Sequence, residues 1–281
     1  FTVAFLVMAF AGSLPNLFVG ISSALHGIPQ LSFGDVVGGN VVDLTLAVAL
    51  AVLFTQNGVA AQSRMVQMSS VFTLIIALLP LVLVADGLIS RSDGLILIGT
   101  YVFYNIWLFS KKDRFTKVYD GHQTASIKEF KLFIKDFAKL LAGIVFLLVA
   151  AEGIVRSASF FSAHFNLSLS IIGILIVGLS NALPEISFSI SSARRGEGWM
   201  VLGDLMGSVI VCATLVLGVV AVIYPIQITD FSPFAIARFF LIISALFFLL
   251  FVRTDRKISK KEGLILLLIY IIFVSVEIFS K

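Results

Sequence analysis

The sequence predicts an all-α integral membrane protein, a helical bundle built from two inverted repeats. Its composition is the first reason, since 59% of the 281 residues are hydrophobic and only 13% are charged. With a mean hydropathy of +1.08, such a chain is typical of proteins that lie in a bilayer. An internal duplication and an uneven distribution of basic residues are the other two reasons. Because no stretch shows sustained alternation of apolar and polar residues, a membrane β-barrel is excluded.

Nine apolar stretches are predicted to cross the membrane as helices, because about 20 apolar residues span a hydrocarbon core of about 30 Å. To within several residues at each boundary, they cover roughly residues 1–25, 33–54, 68–85, 94–109, 137–154, 167–193, 200–223, 234–252 and 264–279. Glycine and serine interrupt many of them, as in membrane bundles whose helices pack closely. The single cysteine, Cys212, rules out an internal disulfide framework.

One stretch of the chain occurs twice, 169 positions apart. Thirteen of the 35 residues at 12–46 are identical to those at 181–215, and the shared positions include Pro, Ser, Gly and Asp, which apolar bias does not explain. We therefore predict a first half, 1–110, with a repeat at about 10–46, and a second half, 137–281, with a repeat at about 179–215. Residues 111–136 are predicted as a basic linker, a solvated or partly amphipathic connector at the membrane surface.

Basic residues concentrate in alternate linkers. The linkers 55–67, 111–136, 194–199 and 253–263 hold fifteen Lys and Arg, whereas those on the other side hold Arg91, Arg156 and the terminal Lys281. The positive-inside rule places the basic linkers in the cytoplasm. We expect the protein in a plasma (inner) membrane. The first repeat then turns outside and the second inside, so the repeats are inverted. Since five spans follow the central linker and four precede it, we expect ten helices, the first of them preceding Phe1.

Glu185 is the only ionisable side chain between residues 167 and 192, near the middle of a predicted span. An acid at that depth is costly and marks a functional site. Pro184 interrupts the helical hydrogen bonds one residue earlier and frees carbonyl groups, and Pro15 is its match in the other repeat. A carboxylate beside free carbonyls predicts a cation site. Interrupted helices in both halves of a duplicated chain indicate the binding site of a transporter.

Each repeat carries two short motifs. The first repeat reads AGSLPN at 11–16 and GDVVGGN at 34–40, and the second reads SNALPE at 180–185 and GDLMGS at 203–208. These motifs resemble the α-repeats of the cation/Ca²⁺ exchanger superfamily, as in the sodium/calcium exchanger membrane domain, which carry GTSLPE followed by GNVxGSN. The resemblance covers both repeats at the right separation and implies a ten-helix inverted-repeat transporter bundle.

The resemblance also implies a cation site shared by the two repeats. The family's central acids correspond to Asn16 and Glu185, and its ligands on the partner helices correspond to Gly39, Asp43, Ser208 and Cys212. We predict Glu185 and Asp43 as the metal-binding carboxylates. Further oxygen atoms would complete the roughly six to eight ligands that Ca²⁺ takes, and they come from Asn16, Asn40, Asn181, Ser13 and Ser208.

Some residues leave alternatives open. Asp35 and Asp204 would either cap a helix N-terminus or relay ions at the two mouths of the site. Cys212 is a poor ligand for a hard cation unless it ionises.

Outside the repeats, Glu152 and Arg156 are predicted to form an i,i+4 pair. The three histidines are predicted to lie in solvated linkers: His26, His122 and His164.

From the resemblance we expect a secondary antiporter, not an enzyme, that exchanges Ca²⁺ for Na⁺ or H⁺ by alternating access at an acidic site near the membrane midplane. Protons are included because desolvation favours the protonated form of a buried carboxylate. The expected partners are small cations and the lipid bilayer. We expect no covalent cofactor and no nucleic acid, and the oligomeric state stays open.

Two alternatives accompany this expectation. Because Asn16 and Cys212 depart from the family pattern, the same fold could move a different cation or act as a transport-inactive sensor. An intramembrane aspartyl protease would use Asp35 and Asp204. The Gly-x-Gly-Asp context of such enzymes is absent, however, since Ser32 and Val201 occupy the position of the first glycine.

Overall fold

The computed structural model describes residues 8–110, 127–228 and 232–279, so residues 111–126 of the predicted linker, with His122, lie outside it. The described residues form nine helices: α1 (Leu14–Leu25), α2 (Pro29–Leu53), α3 (Arg64–Leu83), α4 (Arg91–Ser110), α5 (Ile127–Phe165), α6 (Leu169–Arg194), α7 (Gly198–Ile223), α8 (Ser232–Arg253) and α9 (Lys260–Phe279). A helical stretch at 8–12 precedes α1. Eight of the nine helices, all but α1, include a segment long and apolar enough to cross a membrane. The predicted helical membrane protein is therefore confirmed.

Several helices extend beyond the predicted spans. The helix α2 begins at Pro29 rather than at residue 33, and α7 begins at Gly198 rather than at residue 200. The helix α5 continues to Phe165, so the prediction that His164 lies in a linker is wrong. Its ring stacks on that of Phe160, with the centroids 5.5 Å apart. Serines at 157, 159 and 162 lower the hydropathy of this last part of α5 and hid its helical character.

Both repeats break their first helix at the same place. The helical path is interrupted by one residue at Ser13 before α1 and at Ala182 inside α6, positions that match in the duplication. Pro15 and Pro184 follow within the first turn of the helix that resumes. Proline is tolerated there because the first N–H groups of a helix have no intrahelical partner. The breaks place residues 16 and 185 at the start of a new helical segment.

Both repeats also widen their second helix at matched positions. A π-helical segment covers Asp43–Ala47 in α2, and another covers Cys212–Val216 in α7. In each segment a threonine hydroxyl bonds a backbone carbonyl four residues earlier, Thr45 to Val41 and Thr214 to Ile210. Such segments are frequent at functional sites because they change the direction of the side chains that follow.

Two short ribbons join loops of the two halves and define the two ends of the bundle. The strand β1 (Val59–Ala60) pairs antiparallel with β4 (Lys257–Ile258), and β2 (Leu88–Ile89) pairs antiparallel with β3 (Ile226–Gln227). A side chain at Gly198 would lie 2.9 Å from the backbone nitrogen of Ala60, so the first ribbon lies beside the α6–α7 turn. We call this end, with loops 54–63, 195–197 and 254–259, the basic face.

The other end of the bundle, with loops 26–28, 84–90 and 224–228, is called the opposite face. There the side-chain amide of Gln30 donates to the backbone carbonyl of Gln227 at 3.0 Å, so the α1–α2 turn lies beside the second ribbon. The first repeat turns at the opposite face and the second turns at the basic face. The two repeats are therefore inverted, as predicted.

The helices α2 and α7 are mostly buried, whereas α4, α5 and α9 lie on the outside of the bundle. Glycines let α2 pack directly on α6. A side chain at Gly38 would overlap the carbonyl of Ile174, and one at Gly178 would lie 2.7 Å from the backbone nitrogen of Gly39. Small residues at such contacts allow membrane helices to approach closely. This packing places the middle of α2 against the break in α6.

Candidate cation-binding site

A small cavity of about 10 Å³ lies where α1, α2, α6 and α7 meet. A cavity needs about 10–15 Å³ to hold one water molecule, so this one has room for a single small particle. It brings together six of the seven predicted ligands, leaving out Ser13. Its lining residues are Asn16, Asp35, Val36, Gly39, Asn40, Asp43, Gly178, Asn181, Ala182, Glu185, Ser208 and Cys212.

The local structure of each repeat positions these side chains. On α2, Asp35, Gly39 and Asp43 are spaced four apart, so they lie on one face of the helix. The breaks at positions 13 and 182 place Asn16 and Glu185 in the first turn of the helical segment that resumes. The N-terminus of a helix carries partial positive charge, which favours a carboxylate at Glu185.

Two buried carboxylate oxygens in this cavity have no hydrogen-bond partner among the described residues. They are Oδ1 of Asp43 and Oε2 of Glu185, and both residues are only 3% exposed. The Ser208 side chain interacts with the Asp43 carboxylate. Burying an unpaired carboxylate oxygen is costly, and nearly all buried polar groups in proteins are paired. Within the part of the chain that the structure describes, these two oxygens are therefore available to bind a group seated in the cavity.

Asp35 is fully buried and joins the two repeats. Its carboxylate accepts hydrogen bonds from Asn181 at 3.1 Å to each oxygen and longer ones from Asn16 at 3.4 and 3.5 Å. Since each asparagine donates through its amide nitrogen, its amide oxygen points away from Asp35. Asp35 thus orients two predicted ligands from different repeats.

The prediction that Asp35 and Asp204 cap helices is wrong. The helices α2 and α7 begin at Pro29 and Gly198, six residues before each acid, because polar residues had hidden the true helix starts. Asp204 does not line the cavity, although its charge acts on Glu185. The hydrogen bonds of the Asp35 carboxylate come from the two asparagines.

Ser13 lies beside the cavity rather than in its wall. Its hydroxyl donates to the carbonyl of Ala9 at 2.8 Å and interacts with the Cys212 thiol. Gly12 leaves space for Glu185, since a side chain there would lie 3.2 Å from Oε1 of that carboxylate. Sequence analysis missed Gly178 as a wall of the cavity. The sequence signal for this role was the position of Gly178 among the small residues of α6.

No three His, Cys, Asp or Glu side chains within the described ranges converge closely enough to hold a metal ion by themselves. Amide, hydroxyl and carbonyl oxygens would therefore have to complete the coordination of a cation here. Such a set suits a hard cation that takes oxygen ligands in a flexible geometry.

At the opposite face, the predicted pair of Glu152 and Arg156 is confirmed, with Nε of Arg156 2.7 Å from Oε1 of Glu152. The same carboxylate also accepts from Ser22 at 2.9 Å and lies 3.2 Å from Nε2 of His26. This cluster connects α5 to the end of α1. It lies outside the cavity.

Comparison with known proteins gives a match to the family described as sodium/calcium exchanger protein over residues 1–110 and 135–279. Inner membrane protein YrbG of Escherichia coli (strain K12) is 24% identical over 269 residues, which cover 92% of this chain and 81% of that protein. Sodium/calcium exchanger MaX1 of Methanosarcina acetivorans is 31% identical over 144 residues, which cover 51% of this chain and 41% of that protein.

The fold is also similar to that of solved structures. The sodium-calcium exchanger NCX_Mj, soaked with 2.5 mM Na⁺ and 1 mM Sr²⁺, superposes with a TM-score of 0.71 at 23% sequence identity. The superposition covers 98% of this chain and 86% of that one. The predicted fold, an inverted-repeat helical membrane bundle, is confirmed by this likeness.

Proposed function

The chain belongs to the sodium/calcium exchanger family, and we propose that it is a secondary antiporter that exchanges Ca²⁺ for Na⁺ or H⁺ at the cavity between α1, α2, α6 and α7. One observation carries this proposal. Oδ1 of Asp43 and Oε2 of Glu185 are buried without a hydrogen-bond partner among the described residues, and both side chains line a cavity with room for one small particle. A cation is the particle that stabilises two such oxygens.

The ligand chemistry favours a divalent ion. The carboxylates of Asp43 and Glu185, each with an oxygen that no described residue binds, supply two negative charges, which one Ca²⁺ balances. The third carboxylate of the lining, Asp35, is bonded to Asn16 and Asn181 instead. The amide oxygens of Asn16 and Asn181, turned away from Asp35 by their hydrogen bonds, are available as neutral ligands. With further oxygens from Asn40 and Ser208, the set approaches the roughly six to eight ligands that Ca²⁺ takes.

The negative charge of the proposed site favours exchange over one-way transport. Two buried carboxylates without a counter-charge are costly in a low-dielectric interior. A conformational change that exposes the ionised site to the other side of the membrane without a bound cation is therefore unfavourable. The site would return carrying either Na⁺ or protons, and this couples the movement of one cation to that of another.

The inversion of the repeats supports access to the site from each end of the bundle in turn. The broken helices of the first half (1–110) and the second half (137–281) meet at the cavity, and the repeats turn at opposite ends of the bundle. In transporters of this construction, one group of helices rocks against the other around a fixed central site. We propose the same alternation here, with the basic face in the cytoplasm and the protein in the plasma (inner) membrane.

The test is ⁴⁵Ca²⁺ uptake into proteoliposomes, with a Na⁺ gradient imposed first and a pH gradient second. We expect uptake under at least one gradient in wild type and its loss in both Glu185→Gln and Asp43→Asn. Ser244→Ala is the matched control, because Ser244 is a buried polar residue of α8 that does not line the cavity. Equal uptake by wild type and Glu185→Gln would overturn the proposal.

A second candidate function is the transport of a different cation, or sensing without transport, on the same fold. It is favoured by Asn16 and Cys212, which stand at positions where the family pattern implies other ligands. Saturable Ca²⁺ binding without flux under either gradient would favour a sensor. Absence of both Ca²⁺ binding and Ca²⁺ flux, with flux of another cation, would favour a changed substrate.

A further inference from the structure

We propose that Cys212 gives this cavity a binding mode for thiophilic divalent cations, of which Cd²⁺ is the most favoured. The inference rests on the proposed function only in treating the cavity as a cation site, and it does not require that Ca²⁺ be carried. It would make the protein a binder of soft to borderline divalent metals in addition to any hard cation.

The position of Cys212 supports this proposal. The residue begins the π-helical segment of α7, is 3% exposed and lines the cavity. Its match in the other repeat is Asp43, which begins the π-helical segment of α2 and lines the same cavity. A sulfur atom and a carboxylate thus occupy equivalent places in the two repeats.

The thiol is not isolated from other ligands. The unpaired oxygens of Asp43 and Glu185 belong to the same cavity wall, and these two acids are buried to the same extent. Since no three His, Cys, Asp or Glu side chains of the described residues converge as a metal site by themselves, a cation seated there would combine the sulfur of Cys212 with one carboxylate and with amide oxygens of the same wall. This observation is independent of the cysteine itself, and it separates Cys212 from a thiol that merely fills space in a core.

The chemistry of the ligand set then decides between cations. Thiolate ligands select soft and borderline metals such as Cd²⁺ and Zn²⁺, whereas carboxylate and carbonyl oxygens alone suit Ca²⁺ and Mg²⁺. On coordination a metal–sulfur bond forms, and the thiol proton passes to the solvent. The charge of the cation compensates the thiolate and the neighbouring carboxylate.

The experiment uses the whole chain in lipid nanodiscs titrated with Cd²⁺ alone. Because Cys212 is the only cysteine in the sequence, ultraviolet sulfur-to-cadmium charge-transfer absorption reports on this residue. We expect absorption that saturates at one Cd²⁺ per chain in wild type and in the Ser244→Ala control. We expect no such band in Cys212→Ser, together with a loss of Cd²⁺ affinity of at least about tenfold.

Two results would overturn the inference. One is the absence of the band in wild type at saturating Cd²⁺, and the other is equal Cd²⁺ affinity in wild type and Cys212→Ser. The wild-type band decides the question even where the variant fails to fold. Loss of ⁴⁵Ca²⁺ exchange with an intact band would refute only the proposed antiport, whereas intact exchange without a band would refute only this inference.

Discussion

The two repeats have matching backbones but different side chains around the cavity. Their first helices break at Ser13 and Ala182, and their second helices widen at Asp43 and Cys212, in both cases at matched positions. By contrast, Glu185 is matched by Asn16, and Asp43 is matched by Cys212. The backbone is therefore symmetric where helices must break, and the side chains are asymmetric where a cation would bind.

This difference shows how a duplicated chain can form one site rather than two. The first repeat contributes the carboxylate of Asp43 on its second helix, α2, and the second repeat contributes that of Glu185 on its broken helix, α6. Each carboxylate has one oxygen without a hydrogen-bond partner among the described residues. Because α2 packs directly on α6 through glycines, the two carboxylates reach the same cavity.

The pair Asp35 and Asp204 shows the same contrast in another form. The residue type is identical, but Asp35 accepts hydrogen bonds from Asn16 and Asn181 and lines the cavity. Asp204 lies outside the lining. Since Gly12 is the match of Asn181, the first repeat has no amide that could bind Asp204 in the corresponding way. Identical residues at matched positions thus differ in role because their neighbours differ.

The largest expected effect comes from moving the carboxylate between repeats. Glu185→Asn should lower cation affinity by about 100-fold, because it removes one of the two carboxylates that are left to bind the cation. The double change Asn16→Glu with Glu185→Asn should recover little of this affinity, because a carboxylate at residue 16 would lie beside the Asp35 carboxylate to which Asn16 donates. Equilibrium ⁴⁵Ca²⁺ binding to purified protein checks both variants. A double variant that binds Ca²⁺ as tightly as wild type would contradict the assigned difference between the two positions.

The next effect concerns the packing that brings the repeats together. Gly38→Ala should lower the free energy of unfolding by about 2–3 kcal/mol, because the added methyl group overlaps the backbone of Ile174. Gly99→Ala on α4 is the matched control, since nothing lies within 4 Å of that position. Thermal unfolding in detergent compares the two variants. Equal melting temperatures for Gly38→Ala and wild type would contradict the close contact between α2 and α6.

A smaller effect separates the two matched aspartates. Asp35→Asn should weaken cation binding by about tenfold, because Asn16 and Asn181 lose the charged acceptor that orients their amide oxygens. Asp204→Asn should change affinity by only about twofold, since its charge acts from outside the cavity wall. The same binding measurement ranks both variants. If Asp204→Asn were the more damaging change, the assigned difference between the two aspartates would be wrong.

The smallest effect sharpens the contrast between Asp43 and Cys212. Cys212→Asp makes the two repeats alike at this position and should raise Ca²⁺ affinity by about fivefold, because ligand charge tunes Ca²⁺ binding. The same change should remove the cadmium absorption. Competition between Ca²⁺ and Cd²⁺ in one titration measures both outcomes, with Cys212→Ser as the variant that changes the ligand without adding charge. Unchanged selectivity between the two cations would contradict a coordinating role for residue 212.

Much of the fold followed from local sequence, because the membrane imposes a simple length and polarity rule on each span. The apolar stretches, the duplication around Pro15 and Pro184, and the inversion of the repeats were all predicted and agree with the structure. The helix starts at Pro29 and Gly198 were missed, since residues such as Gln30 and Ser32 interrupt the apolar pattern while their backbone remains helical. Serines at 157, 159 and 162 interrupt the apolar pattern of α5 in the same way, so His164 was wrongly predicted to lie in a linker.

The site was predicted as a set of residues, and its geometry required the tertiary structure. The sequence alone determined that an acid lies at mid-span beside a proline in a duplicated helix, because hydropathy and repetition are properties of the chain itself. Only the packing of α2 on α6 decided that the Asp35 carboxylate binds Asn181, which lies 146 positions away in the chain. Contacts between residues more than a hundred positions apart depend on how the helices approach one another, and in this protein glycine contacts between α2 and α6 set that approach.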